Sequence, residues 1–368
     1  MKVKKLFLEN WRNIENMELF FVPEVQLILG NNAQGKTNIL EALSLASTMR
    51  SFRTSKENML IRQGEKQATI RLIFEKKGRE QELQLTLAEG EPKKVYLDGR
   101  HITKTRDAIG LFCSVLFTPD HLMMIKGAPG ERREFLDMAL CAASPRYTED
   151  LLQYNKALKN RNRLLKSENP AMIATLPVWD DLLCRYGAAI AAARADYIEK
   201  LSEVAAQEYE HISAGGEKLK IVYINQFAKD KKTTDVYYTL MLEQMEKRRE
   251  KDIENQSTGV GIHKDDFLTL LAGKSAKFFG SQGQIRSCVL SIKMAEAALI
   301  EQQSGIKPVI LLDDILSELD ESRQNYILRH TFENQCVVTA CEPDKLERFA
   351  SESIYIKGGK ADVSPSGQ

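Results

Sequence analysis

GNNAQGKT, Gly30 to Thr37, follows the apolar run Val25, Leu27, Ile28 and Leu29 and precedes the helix-like NILEALSLAST. The spacing G-x-x-x-x-G-K-[ST] between a strand and a helix has a mechanical reason. Glycines permit a tight turn in which successive backbone N–H groups point inward at phosphates, and the helix N-terminus behind them adds partial positive charge. In such a loop Gly30, Asn31, Asn32, Ala33, Gln34 and Gly35 form the cradle, Lys36 neutralises phosphate and the Thr37 hydroxyl holds Mg²⁺. The alternative is a glycine-containing turn that merely caps a helix; the strand before the motif and the helix after it count against that.

Working outward, two further stretches bear on the same chemistry. In PVILLDD, Asp313 ends four consecutive apolar residues, at the carboxyl end of a strand, where ligands of open α/β sheets bind. A lone carboxylate there suits Mg²⁺, which keeps several waters and takes few protein oxygens. Asp314 beside it is placed to orient an attacking water. The second stretch is SQGQ, Ser281 to Gln284, which opens a helix with apolar positions Ile285, Cys288, Val289, Ile292 and Leu299. Ser281 and Gln284 fit a capping box. Gly283 in the first turn costs about 1 kcal/mol of helix propensity relative to Ala. That makes sense if a phosphate must approach the backbone closely.

Composition sets outer limits. At 368 residues, 43 % of them hydrophobic, the chain can bury one large domain or two. Lys plus Arg (52) nearly cancel Asp plus Glu (51), so any nucleic-acid site must be a local patch. The six cysteines form no CxxC pair and no metal-ligand spacing with His, which predicts buried, reduced thiols and a cytoplasmic protein. No apolar run approaches the roughly 18 residues of a spanning helix, and the Ala-rich GAAIAAARADYI is broken by Arg194 and Asp196.

From Met1 to about Gly110 period-two alternation predicts strands, with an Asp98-Gly99 type I′ hairpin turn, interrupted only by the helix after the phosphate loop. From about Pro119 to Gln256 the pattern is helical, broken at Asn169-Pro170, Pro177 and Gly215-Gly216. From about Thr258 helix and strand alternate again, through PVILLDD, SRQNYILRHTFEN, QCVVTA and a terminal SIYIKGGKADV hairpin, which predicts parallel pairing. The expected architecture is an α/β nucleotide-binding lobe built from residues 1–118 and 257–368, with a helical lobe, 119–256, inserted.

GNNAQGKT, then SQGQ just before ILLDDILSELD, resembles the ABC-type P-loop ATPase head shared by SMC-like proteins. PDHLMMIKGAPGERREFLD (Pro119 to Asp137), GIHKDDF (Gly261 to Phe267), SFRT (Ser51 to Thr54) and LLDDILSELDESR (Leu311 to Arg323) narrow the resemblance to the RecF family of bacterial recombination mediators, over almost the whole chain. The resemblance implies that Gly30 to Thr37 bind ATP and that Asp313 with Thr37 holds Mg²⁺. Asp314 stands where related ATPases place a catalytic glutamate. It further implies that Ser281, Gln282 and Gly283 act in trans on a second subunit's ATP, that Ser317 to Asp320 form the loop by which subunits sense each other, and that Arg12 and Asn13 lie in a segment reaching the nucleotide. ATP would then join two chains as a homodimer clamp. Family membership would add binding to duplex DNA near single-strand junctions or gaps, a weak ATPase, and partnership with RecR and RecO in loading RecA.

Departures from the pattern are Ala33 in place of a loop glycine, Asp314 in place of glutamate, and Thr339 where transporter-type heads carry a switch histidine. The last two predict slow hydrolysis. Basic residues cluster at Lys156, Lys159, Arg161, Arg163, Lys166 and at Lys247, Arg248, Arg249, Lys251; they read as a solvated helix face or as a phosphate-contacting patch. Arg132 and Arg133 read either as a structural pair or as reaching nucleotide or DNA. His263, Lys264, Asp265 and Asp266 read as a polar cluster organising a loop rather than as a metal site. A transporter ATPase, a scaffold that binds ATP without hydrolysis, and an overcoming-lysogenisation-type nuclease head are the competing readings. The last expects an acidic nuclease segment after the ATPase, and none is present before Gln368.

Overall fold

In KVKKLFLENW, Val3, Leu6, Leu8 and Trp11 all face inward, and a register shift between Val3 and Lys5 carries the alternation across its break in phase. The computed structural model describes residues 1–213, 216–228, 230–331, 334–341 and 350–362. Gly215 of the expected break, Phe332 and Glu333 of the expected short helix, and Val363 of the terminal hairpin lie outside the described residues.

The strands are β1 (Lys2–Trp11), β2 (Ile14–Phe20), β3 (Val25–Leu29), β4 (Gln67–Lys76), β5 (Arg79–Ala88), β6 (Lys94–Leu97), β7 (Arg100–Ile102), β8 (Ser114–Phe117), β9 (Leu219–Ile224), β10 (Asp266–Leu271), β11 (Lys274–Ser275), β12 (Val309–Asp313), β13 (Cys336–Ala340), β14 (Glu352–Lys357) and β15 (Lys360–Asp362). The helices are α1 (Lys36–Thr48), α2 (Met123–Lys126), α3 (Pro129–Ala143), α4 (Pro145–Leu164), α5 (Pro170–Ile173), α6 (Leu176–Ile212), α7 (Thr234–Glu254), α8 (Ala276–Phe279), α9 (Gln282–Ser304) and α10 (Glu321–Thr331).

Contacts divide the chain into two units, Met1–His121 with Glu296–Gln368, and Leu122–Ala295. The first holds two sheets. Strands with alternating burial form an antiparallel meander in the order β2-β1-β4-β5-β6-β7, and Asp98 and Gly99, both at positive φ (49° and 76°), close its β6–β7 hairpin. Strands buried at every position, β3, β12 and β13, form the interior of the second sheet, ordered β15-β14-β3-β13-β12-β8. There β8, β12, β13, β3 and β14 run parallel, as continuous apolar runs covered on both faces require. Helix α1 is sandwiched between the sheets: Ile39, Leu40 and Leu43 share one core with Leu6 and Ile70 of the meander and Leu311 and Val337 of the parallel sheet. Gln335, buried, ties the two sheets further, donating to the carbonyls of Val3 (2.8 Å) and Val22 (2.7 Å).

The second unit packs α4, α6 and α7 together and adds an antiparallel sheet, β11-β10-β9. For residues 119–256 the pattern predicts helices separated only by breaks; the strand β9 interrupts them. LKIVYI pairs residue for residue with β10, some forty positions further on, and a non-local partner leaves little trace in local periodicity. That pairing is why 257–295, expected to join the ATPase lobe, cluster with the helices instead. None of the helices among the described residues is long and apolar enough to cross a membrane.

Buried charge organises this unit. Arg161 on α4, wholly buried, bonds Asp180 of α6 at 2.6 Å and Asp252 of α7 at 2.8 Å. Arg194, which from sequence merely breaks an Ala-rich run, is equally buried and donates to Asp137 (2.8 Å), the Ile262 carbonyl (2.8 Å) and the Tyr147 hydroxyl (3.1 Å). His263 accepts from the Tyr154 hydroxyl at 2.7 Å through Nδ1 and donates to the Thr258 carbonyl at 3.1 Å through Nε2, the tautomer assigned from these partners.

Burial, with lesser contributions from Lys264 and Arg133, pushes the His263 pKa from 6.5 down to about 4. Folded His263 is therefore neutral where the unfolded chain takes up a proton, so its contribution to stability is lost as pH falls from 6.5 to 4. That loss reaches about 3 kcal/mol at its acid limit. Denaturant midpoints measured across this range should fall less steeply for His263→Gln than for the parent chain; equal slopes would exclude His263 as the source.

Candidate functional site

The phosphate-loop motif joins the carboxyl end of β3 to the start of α1, with the ends of β12 and β13 alongside. Two glycines are required by geometry. A Cβ on Gly30 would stand 2.4 Å from the Ile356 carbonyl oxygen of β14, and Gly35, which caps α1, sits at φ 116°. Gln34 braces the loop from the other side, its carbonyl accepting from the Gly359 amide at 3.1 Å and its side chain from Gly358. Ala33 adopts the left-handed conformation, φ 63°, that a glycine would take without strain.

Lys36 is 4 % exposed, and its ammonium donates to the carbonyls of Gly30 (2.6 Å) and Asn31 (3.3 Å) and to Cys341 Sγ (3.2 Å). No carboxylate pairs with it among the described residues. Its direct bonds go only to neutral acceptors, the half-buried Asp314 carboxylate acting on it through space, and a phosphate in the loop supplies an anion that bonds it directly.

Asp313 lies at the other wall. Its Oδ1 accepts from Thr37 Oγ1 at 3.0 Å and from Thr339 Oγ1 at 2.8 Å. Burial raises its pKa, against the two hydroxyl hydrogen bonds that lower it. One hydroxyl and one carboxylate oxygen meeting over the loop are the donors a hard divalent cation needs, so the residues present fit Mg²⁺. Burial also raises the Asp314 pKa, opposed by the charge of Lys36. Asp314 sits at φ 49°, with its amide donating to Thr339 Oγ1 at 3.0 Å and its carbonyl accepting from Ser317 Oγ at 2.8 Å. Thr339, at the position of the switch histidine of transporter-type heads, thus ties both aspartates together.

Of the segment Arg12-Asn13, only Asn13 reaches the loop, its Oδ1 accepting from Asn38 at 2.7 Å and its Nδ2 lying 3.5 Å from the Ala33 carbonyl. Arg12 turns instead to Glu41 of α1, in two bonds of 2.9 and 2.6 Å. Glu41 is fully buried and also accepts from Ser51 (2.5 Å) and Arg53 (3.4 Å), and Arg53 reaches the Asn38 side chain at 2.8 Å. Arg53 belongs to the SFRT stretch noted in the sequence without an assigned role; Asn38 and Cys341 carry no signal of their role there. For Glu41, likewise unassigned, the available signal was the lone charged residue inside NILEALSLAST.

In the second unit, Ser281, Gln282 and Gly283 lie at the start of α9. The capping box is formed: the Ser281 amide donates to Gln284 Oε1 at 2.7 Å, and the Gln284 amide to Ser281 Oγ at 3.3 Å. Ser281 and Gln282 are exposed. Arg132 is a structural residue, bidentate to Asp266 (2.5 and 2.9 Å) and bonded to the Gly127 carbonyl (3.1 Å), while Arg133 donates to the Asp265 carbonyl (2.8 Å). The His263–Asp266 stretch organises its loop through such bonds, and no group of metal-binding side chains occurs among the described residues.

The sequence model of the RecF/RecN/SMC N terminal domain matches residues 2–361. The DNA replication and repair protein RecF of Agathobacter rectalis is 37 % identical over 364 residues, 97 % of this chain and 98 % of its own. The chain belongs to the RecF family. Another RecF, from Lachnoclostridium phytofermentans, is 38 % identical over 356 residues, 96 % of each chain. A solved structure of the recombination mediator protein RecF-ATP in the RecFOR pathway superposes with a TM-score of 0.92 at 34 % identity, covering 99 % of this chain and 98 % of that one. The Smc head domain of Pyrococcus furiosus, at 18 % identity and TM-score 0.57, shares the fold, with 99 % of this chain and 96 % of that one covered. The ABC-type head expected from the loop, signature and Asp313 is thus the fold of this RecF-family chain.

Proposed function

We propose that this RecF-family protein is an ATP-switched DNA-binding protein of cytoplasmic DNA repair and replication, with weak ATPase activity. The observation that carries the reading is the buried Lys36 ammonium, bonded by loop carbonyls and by no carboxylate among the described residues, together with the Thr37 hydroxyl bonded to Asp313 at 3.0 Å. Bound there, ATP with Mg²⁺ supplies the phosphate charge that these groups lack. The Gly30–Gly35 amides and Lys36 hold the phosphates, Thr37 and Asp313 hold the cation, and Asn13 steadies the loop from behind. Asp314, half-buried with its pKa raised by burial, orients water and accepts its proton. A shorter carboxylate than glutamate reaches less far, consistent with slow turnover.

Ser281, Gln282 and Gly283 act on the nucleotide of a second copy, so that ATP closes a homodimer and hydrolysis releases it. The dimer binds duplex DNA at gaps or single-strand junctions and acts with RecR, and through RecO, in loading RecA. RecF names of relatives and the RecFOR pathway of the ATP-bound relative support this part.

Light scattering of the parent chain and Ser281→Arg, with and without ATP and Mg²⁺ and with a short gapped duplex, tests it. The expected result is an ATP-dependent doubling of mass that the variant loses, with DNA affinity following the dimer. A monomer under all conditions would overturn the two-copy clamp.

A further inference from the structure

The signature at the start of α9 is contacted by one lysine whose bonding differs from that of its neighbours. Helix α2 ends at Lys126-Gly127, and the Gly127 carbonyl is pinned by Lys277 Nζ at 2.8 Å and Arg132 Nη1 at 3.1 Å. A Cβ on Gly127 would stand 2.4 Å from the Met123 carbonyl oxygen, so this end of α2 accepts only glycine in its present path. Arg132 is neutralised by Asp266. Lys126 has no such counter-ion among the described residues; its ammonium donates to the side-chain oxygen of Gln282 at 2.8 Å.

An ammonium has only donors, whereas a glutamine amide has an oxygen acceptor on one side and an NH₂ with two donors on the other. Lys126 therefore admits one flip state of Gln282: oxygen toward the lysine, NH₂ away from it. No acceptor takes that NH₂ among the described residues. The second glutamine of the motif is bound elsewhere, its NH₂ donating to Glu217 at 2.7 Å and its oxygen accepting from the Ser281 amide. Gln282 alone in the signature thus offers free amide donors, beside a hydroxyl and a helix N-terminus that also favour an anion.

We propose that Lys126 is a positioning residue that locks the Gln282 amide with its NH₂ outward, as a donor to the phosphate of the nucleotide held by a second copy. The inference rests on the two-copy reading above. Without Lys126 the amide flips freely, and half of its orientations present an oxygen to a phosphate oxygen, which repels it.

The test is the ATP concentration that gives half-maximal dimer, by light scattering with Mg²⁺. Lys126→Met should raise it about tenfold, the size of one charge-assisted hydrogen bond. Lys126→Arg, still a pure donor, should restore it to within about threefold, while Lys126→Glu, which accepts from the NH₂ and turns the oxygen outward, should be worse than Met. In a Gln282→Ala background Lys126→Met should have no further effect. In a Ser281→Arg background, which cannot close, it should leave ATP affinity of the monomer unchanged, a result that also shows the chain still folds. Wild-type dimerisation by Lys126→Met, or an effect that persists without Gln282, would overturn the proposal. If Ser281→Arg abolishes the dimer while Lys126→Met does not, only this inference fails; a parent chain that never dimerises removes both.

Discussion

Lys36→Met is expected to weaken ATP binding about a hundredfold, the equivalent of roughly 3 kcal/mol, since a charged hydrogen bond to phosphate contributes about 1.5–3 kcal/mol and the Coulombic attraction is lost with it. The same substitution should leave the ligand-free protein as stable as before, or more so. Lys36 is bonded by carbonyls and one thiol and by no carboxylate among the described residues; methionine matches its volume without the cost of desolvating a charge, which outweighs the through-space attraction to half-buried Asp314. The two effects separate cleanly in a thermal unfolding series: ATP with Mg²⁺ should raise the midpoint of the parent chain in proportion to the logarithm of its concentration, while the variant's midpoint, equal or higher without ligand, should begin to rise only at about hundredfold higher ATP. A variant that binds ATP normally would remove Lys36, and with it the loop, from the nucleotide site. A variant that merely unfolds would show that the ammonium's carbonyl bonds matter more to the fold than its charge costs.

The second large effect is expected in the second unit. Arg161→Met should destabilise the second unit by about 3–5 kcal/mol, because it leaves Asp180 and Asp252 buried without their shared partner. Arg249, 3.0 Å from Asp180, and Arg248, 3.5 Å from Asp252, retain part of the pairing and place the outcome toward the lower figure. Trp11 and Trp179 fall in different units, so a Trp11→Phe background makes denaturant unfolding, followed by tryptophan emission, report on the second unit. A loss below about 1 kcal/mol would mean that the cluster is dispensable to the fold.

This cluster also corrects the reading of the basic runs. Arg161 has no exposed surface and cannot meet a DNA phosphate; Lys156, Lys159, Arg163, Lys166, Lys247 and Lys251 remain exposed. Reversing Arg248 and Arg249 would disturb the buried aspartates as well as the surface, so a DNA-affinity test belongs on the exposed lysines. Replacing them should weaken DNA binding and make its dependence on salt shallower.

The parts legible in sequence were those in which local chemistry leaves one solution. The strand, glycine loop, lysine and threonine of GNNAQGKT need no distant partner to be recognised, and four apolar residues before Asp313 announce a buried parallel strand. Alternation placed β1, β2, β4 and β5, and Asp98-Gly99 announced its hairpin. What escaped depends on partners remote in the chain. β9 forms because β10 returns to it, and that return groups residues 257–295 with the helices.

Charge was the least legible property. In the sequence Arg161 stands in a basic run, Arg194 breaks an apolar one and Arg12 lies in the segment expected to reach the nucleotide; nothing local tells that each is neutralised by a remote carboxylate, Asp252, Asp137 and Glu41 respectively. A side chain's type is written in the chain, but whether its charge faces water, a phosphate or a buried aspartate depends on the desolvation and pairing that only packing creates. The sequence by itself determined the phosphate loop, the Asp313 strand and the family. Tertiary structure alone decided which arginines are structural, that Thr339 joins the two aspartates, and that Lys126 meets the signature, because each of these is a meeting of groups that the backbone holds far apart until it folds.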